Sequence, residues 1–307
     1  MFKGLTKGLQ KGLLIGHNKG LLTGNKKGLV SKSAPPSQAL GFDVDAWAYI
    51  QALQAQKVTI PNEWMIAINT FVKSGKAHGW WDAADCIYPI IGGTANSHAI
   101  NLKNPNRFSV TWHGTLSHTA IGVQSTGGSG SNDYGDTGYN PAVGGFNLNN
   151  SGGCIAMYIS GAASTGFTAP LGNLTSITTQ LTTIRTQFAG YEGFIAENAS
   201  TLNSAFPTDH IIQGFFSFLA GGPLGATTAR NFNNGYANSI LYSGFGLFNG
   251  NMWIVNANFG NSGLTFNPST QIFSFFYFGG NTFKDVDLWN DVENLQVVLG
   301  RGQLGGS

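Results

Sequence analysis

"QIFSFFYF", residues 271–278, decides what kind of fold this chain can adopt. Side chains alternate between the two faces of a strand, yet Ile272, Phe273, Phe275, Phe276, Tyr277 and Phe278 place apolar groups on both. A strand of that kind belongs in the middle of a packed two-sheet structure. "CIAMYIS" (154–160), "GFFSFLA" (214–220) and "NMWIVNANF" (251–259) also read as strands. Asn249-Gly250, between "LYSGFGLF" and "NMWIVNA", is a hairpin signal, and Asn234-Gly235 is a second. Short apolar runs separated by turn residues predict a mainly β chain, an antiparallel β-sandwich or jelly roll.

The composition agrees. Of 307 residues, 42% are apolar, with 22 Phe, 9 Tyr and 7 Trp, so a large core can form. Charged residues are only 10%, and 44 glycines favour short strands and many turns over helix bundles.

Upstream of the strands, 43–105 reads as a helical region. In "DVDAWAYIQAL" Val44, Trp47, Ala48 and Ile50 recur at helical spacing behind Asp43 or Asp45 as cap. Pro61 suits the first turn of a second helix, with Trp64, Ile66 or Ile68, and Phe71 inward and Gly75 as its stop. Residues 106–301 form the jelly-roll domain. Within it, "NLTSITTQLTTIRTQF" (173–188) has helical spacing but threonine-rich composition, and the spacing predicts an inserted helix. The domain closes on a helix at 283–299, where Thr282 and Asp285 have capping-box spacing and Val286, Trp289, Val292 or Leu295, and Leu299 share a face.

The first thirty residues differ in kind. Glycines at 4, 8, 12, 16, 20, 24 and 28 keep a strict period of four, and five of them sit in Lys-Gly-Leu. Those units are Lys3-Gly4-Leu5, Lys7-Gly8-Leu9, Lys11-Gly12-Leu13, Lys19-Gly20-Leu21 and Lys27-Gly28-Leu29. One glycine per turn costs a continuous helix ~1 kcal/mol each, so an isolated arm is not expected to be helical. Each Leu suits one apolar pocket and each Lys one acidic rim, so 1–30 reads as a periodic anchoring arm. A Pro/Ser linker (31–42) joins it to the body. Residues 1–42 hold seven lysines and no carboxylate, against nine basic and fourteen acidic residues in the rest. A cationic arm on an anionic body argues against nucleic-acid binding by the body. Cys86 and Cys154 read as buried free thiols rather than a disulfide. Without an ~18-residue apolar run or a secretory signal, the expectation is a soluble chain made in a cytoplasm, with no membrane span.

The residues that carry chemistry are few. His98, His113 and His118 come nearest to a cluster, but on one strand the odd spacing of 113 and 118 would point them to opposite faces, and no metal site is expected. In "SNDYGDTGYNP" (131–141), Asp133 and Asp136 fit either a calcium- or sugar-binding turn or side chains bonding their own backbone, the reading preferred. A glycanase needs two facing carboxylates. Glu192 and Glu197 are an odd five apart, and the strands at 154–160, 214–220 and 271–278 contain none. "GGSGS" (127–131) lacks a nucleophile elbow, and "GGTANS" is not a phosphate loop. Trp80-Trp81 and the aromatic strands offer sugar or base stacking, against a core role for most aromatics. The expectation is no catalytic set, no cofactor and no enzyme.

The order of motifs resembles structural proteins of bacterial viruses and prophages. It is carried by "INTFVKSGKAHGWWDAADCIYPIIGGTANSHAINLKNP", "SHTAIGVQSTGG", "GDTGYNP" and "NLQVVLGR", over about 43–145 and 270–301. The resemblance implies a concanavalin-A-like, laminin-G-like jelly roll in a virion fibre or spike, made in the host cytoplasm. It further implies attachment to host-surface carbohydrate and homo-oligomers, trimers by preference, bound to other virion proteins through the arm. The alternatives are a glycan-degrading depolymerase on the same fold, or a capsid component whose basic arm contacts DNA.

Overall fold

Strand β14, Phe273–Gly279, lies between β6 (Gly152–Ile159) on one edge and β1 (Ala84–Tyr88) with β4 (Gly122–Ser125) on the other. All its residues are buried. The computed structural model describes residues 41–126, 132–143, 146–148, 152–161, 171–176, 180–184, 214–221, 228–233, 236–241, 249–255, 258–259, 271–280 and 284–302. The repeat arm, most of the linker, Glu192, Glu197, 127–131 and residues 242–248 before the Asn249-Gly250 hairpin signal lie outside them.

The larger sheet runs β11-β10-β9-β6-β14-β4-β3, with β1 added beside β14. Its further strands are β3 (Leu116–Thr119), β9 (Gly214–Gly221), β10 (Thr228–Asn233) and β11 (Tyr236–Leu241). The smaller sheet runs β13-β7-β12-β5-β2, with β8 beside β7. It comprises β2 (Thr111–His113), β5 (Tyr134–Asp136), β7 (Leu171–Ser176), β8 (Gln180–Ile184), β12 (Trp253–Ile254) and β13 (Asn258–Phe259). Pairing is antiparallel except for β13 on β7. The chain is therefore mainly β, an antiparallel jelly-roll-like sandwich with a few helices.

Two cores share the larger sheet. Ile155, Met157 and Ile159 of β6 face the smaller sheet, whereas Cys154, Ala156 and Tyr158 face the helices. On β14, Phe276 and Phe278 join the first core, and Phe275 and Tyr277 the second. A bulge between Phe273 and Phe275 resets the alternation, which puts Phe273 on the same side as Phe276. This is why 271–278 is apolar at both parities: one covering layer is a sheet and the other is helical. The expected helical region is not separate, since it supplies β1 and packs its helices on the same sheet. Cys86 and Cys154 are unpaired, buried in different cores.

The helices form where expected, with shifted details. Helix α1, Val44–Ala55, starts at Asp43, whose carboxylate accepts the Asp45 N–H at 3.0 Å. It buries Ala46, Tyr49, Ile50 and Leu53 and leaves Val44 exposed, so its apolar face is rotated from the expected one. Helix α2, Asn62–His78, runs through Gly75 and stops at Gly79, which takes the left-handed conformation at φ +85°. Gly75 is internal because the Trp80 ring lies against it. A four-residue helix α3, Ala95–His98, has the capping box of "GGTANS", in which Thr94 and Ser97 bond reciprocally. Helix α4 spans Asp285–Val298 rather than 283–299, with Lys284 at its cap and no side-chain cap bond. Leu288, Val292, Leu295 and Leu299 face inward, and Val286 is exposed.

Within the threonine-rich stretch the described residues form strands where a helix was expected: β7 and β8 pair antiparallel with Leu174 opposite Leu181. β-branched threonines outweigh the 3-and-4 spacing there. The register of β10 and β11 sets Asn233 opposite Tyr236, as the Asn-Gly signal at 234–235 predicts.

Candidate functional site

At the edge of the smaller sheet, register sorts the side chains. Trp112 lies opposite Gly135 and Ile254 is also opposite Gly135, while His113 pairs with Tyr134 and both Thr111 and Trp253 pair with Asp136. Ile254 belongs to the inter-sheet core and Trp112 packs against it. Position 135 must be glycine, because a Cβ would lie 2.5 Å from the Trp112 ring and 2.8 Å from Ile254. Thr111, His113, Tyr134, Asp136 and Trp253 therefore point the other way, away from the core.

On that outer face the rings stack across the strands. His113 lies on Tyr134 with centroids 4.4 Å apart, and Tyr134 lies on Trp253 at 3.6 Å, tilted by 17° and 10°. His113 is exposed, Tyr134 half-buried and Trp253 buried, so the row leads inward from the rim. Asp136 is fixed beside it by the Asn251 amide, whose Nδ2 donates to both carboxylate oxygens at 2.9 and 3.2 Å, and by the Gly138 N–H at 2.9 Å. Partial burial and then the nearby Asp136 charge raise the Tyr134 pKa, so its phenol keeps its proton at neutral pH. Next to the row, Val255 is held at φ +71°, a conformation that costs a β-branched residue ~1–3 kcal/mol and clusters at functional sites. A proton donor, an imidazole and an oriented carboxylate thus share one surface.

Only one pair of the three expected histidines meets. The tight turn at Gly114 carries the chain from one sheet to the other, so His113 and His118 are not on a common strand. His118 instead reaches His98 of α3, Nδ1 to Nδ1, at 3.0 Å. The Gly93 N–H donates to His98 Nε2 at 3.0 Å, which fixes that nitrogen as an acceptor. His98 Nδ1 then carries the proton and donates to His118 Nδ1. The pair shares a proton and does not offer two free nitrogen lone pairs to an ion. Among the described residues, no group of three or more His, Cys, Asp or Glu is placed to hold a metal.

The other expected residues separate by role. Asp133 is buried, accepting the Thr115 N–H and the Ser125 hydroxyl, each at 2.6 Å, and these bonds tie neighbouring segments together where bonding of its own turn was expected. Asp136 does bond its own turn, accepting the Gly138 N–H, but also faces outward beside the aromatic row. Trp80 and Trp81 are buried in the helical core and present no stacking surface. The anchoring arm lies outside the described residues. The sequence reading missed Tyr134, Trp253 and Asn251. The alternation in "TWH" and "YGD" was the available signal, with Trp112 and Gly135 inward, but no residue spacing reveals that these strands are neighbours.

No family model matches the chain, and no curated protein matches it. Among solved structures it is similar to Trypanosoma rangeli sialidase in complex with sialic acid, with TM-score 0.41 and 8% identity over 77% of this chain and 39% of that one. It is also similar to an α-L-arabinofuranosidase soaked with a cyclic sulfate inhibitor, with TM-score 0.36 and 13% identity over 62% and 42%. A third is the alginate lyase vAL-1 from Chlorella virus, with TM-score 0.32 and 9% identity over 58% of this chain and 94% of that one. The chain spans about two fifths of the length of the sialidase. All three are enzymes by name, which runs against the expectation that this chain is not an enzyme. That expectation sought two carboxylates on single strands, whereas the fold assembles His113, Tyr134 and Asp136 from neighbouring ones.

Proposed function

We propose that the protein cleaves glycans at the outer face of the smaller sheet. The observation that carries this reading is the stacked row His113–Tyr134–Trp253 with Asp136 clamped beside it. Aromatic groups suit the apolar faces of sugar rings, and the exposed His113 end of the row is where a chain of sugars meets the site. Tyr134, protonated at neutral pH, donates to the departing glycosidic oxygen. His113, at the open rim, takes a proton from the attacking water or from the sugar ring, and Asp136 stabilises positive charge that develops during cleavage.

The test is incubation of the full chain with a panel of bacterial polysaccharides, read by new reducing ends. Tyr134→Phe keeps the stack and removes the donor, so it is expected to lower the rate by about 10²–10⁴-fold, and His113→Ala comparably. Equal rates in the wild type and Tyr134→Phe overturn this assignment of roles; binding of a polysaccharide without cleavage overturns the enzymatic reading.

A second reading adds a location. The period-four arm and the ordered motifs favour a surface part of a bacterial virion, anchored through the arm and presenting this face to host carbohydrate. Deleting residues 1–30 is expected to abolish incorporation into particles. Normal incorporation would remove the anchor role, and scattering measurements on the intact chain decide whether it forms the expected homo-oligomer.

A further inference from the structure

We infer that the His98–His118 pair is an acid-sensitive latch that holds edge strand β2, and with it His113, in place. Strands β2 and β3 are the terminal strands of their sheets along one side of the sandwich, and α3 lies at that side. Trp112 of β2 donates its indole N–H to the Ala95 carbonyl of α3 at 2.9 Å. His118 of β3 meets the Trp112 ring edge-on, with centroids 4.9 Å apart. The imidazole pair therefore joins α3 to β3 while α3 holds β2. On its far side, Gly93 connects His98 to the loop 89–93, where Ile90 has φ +50°. The buried Arg301 guanidinium pins that loop by donating to the carbonyls of Ile90 and Pro89 at 2.9 and 3.1 Å.

The latch works in one protonation state. With Gly93 fixing His98 Nε2 as an acceptor, the single shared proton sits on His98 Nδ1, and His118 Nδ1 must be bare. A second proton on the pair sets two N–H donors against each other at 3.0 Å. The Arg301 charge faces His98 and opposes that proton, while Trp112, the contact on His118, does not titrate. Burial first, then His118 and Arg301, depress the His98 pKa to about 3, and burial depresses that of His118. The sign follows: both rings are neutral in the folded state, whereas unfolded histidine titrates near 6.5. The stabilisation is complete above about pH 6.5 and is lost progressively as pH falls below it.

This inference goes beyond the proposed activity and stands if that activity is absent, because its readouts are structural. NMR of the imidazole nitrogens in the intact protein at about pH 7.5 is expected to show His98 protonated at Nδ1 and His118 at Nε2. Lowering the pH towards about 5 should accelerate hydrogen exchange at the Gly93 amide and Trp112 indole, corrected for intrinsic rates, by up to about tenfold per pH unit for each imidazole that gains a proton on opening. Amides of the central strand β6 serve as the reference for global opening. His118→Asn supplies an amide oxygen that accepts at any of these pH values, and should keep the neutral-pH protection while weakening its acid sensitivity, because His98 alone then gains a proton on opening. An Nε2 proton on neutral His98 overturns the latch even if the variant fails to fold. So does acid-accelerated exchange at Gly93 that is the same in His118→Asn as in the wild type.

Discussion

Gly75 sits inside α2 with the Trp80 ring against it, and two opposing energies can be compared there. Alanine is favoured over glycine in a helix interior by ~1 kcal/mol. Yet its Cβ would lie 2.6 Å from Trp80 Cη2 and closer still to Cζ2. The indole cannot retreat easily, because it is buried and its Nε1–H is bonded to Asp291 at 2.8 Å. Overpacking costs about 1–3 kcal/mol, so Gly75→Ala should be destabilising despite the better helix former, by about 1 kcal/mol net. Urea denaturation should show a lower midpoint with an unchanged slope; a midpoint at or above wild type would mean that the ring shifts freely. The same residue shows how far single positions are legible. A glycine near a helix end looks like a stop, and only the later contact with Trp80 reveals it as a packing site. His113 and Asp136 were visible as candidates by type, but Tyr134 gained its significance only from the strands beside it.

Helix α4 illustrates what propensity and patterning leave undecided. Its existence and approximate length follow from the apolar spacing, but its cap does not, because Lys284 rather than a capping-box residue precedes the first turn. The repeat of Leu288, Val292 and Leu295 indicates a buried face without saying what covers it. The structure supplies the answer through Asp291, a charged residue in that face. It accepts hydrogen bonds from Trp80 Nε1 at 2.8 Å and from His78 Nδ1 at 2.9 Å, tying α4 to the end of α2. Asp291→Ala leaves the indole N–H buried without its acceptor, at a cost of ~1–3 kcal/mol. Asp291→Asn retains an acceptor oxygen and should lose less, so the order of thermal midpoints is wild type, then Asn, then Ala. Equal midpoints for the two variants would show that the carboxylate charge, not the indole bond, joins the helices. The antiparallel pair of β7 and β8 is the complementary case. Its periodicity fits a helix, its threonines fit strands, and pairing with β12 gives the backbone partners that settle the contest.

At the scale of the whole molecule, the larger sheet is the common wall of two cores, and this is where "FSFFYF" proved most informative. Its two apolar faces required two coverings, and the sequence reading supplied a second sheet for one; the other is the helical layer, which could not be assigned from local pattern because β1 joins the sheet from within the helical region. Phe275 and Phe276 are chain neighbours, both fully buried, yet Phe275 packs with α2 through an edge-on contact to Phe71, and Phe276 faces the smaller sheet beside Phe273. Truncating either to alanine removes a buried ring at about 3–5 kcal/mol. If the layers were independent, Phe275→Ala would shift only the helical signal and Phe276→Ala only the aromatic environment of the sandwich. A shared wall predicts otherwise. Strands β6, β9 and β14 each contribute side chains to both cores, so neither core can open without breaking the register of the other. Both variants should therefore lower a single transition, with far-ultraviolet and near-ultraviolet circular dichroism coincident on heating. Two separated transitions in Phe275→Ala would show that the helical layer detaches first and that the wall transmits nothing between its faces.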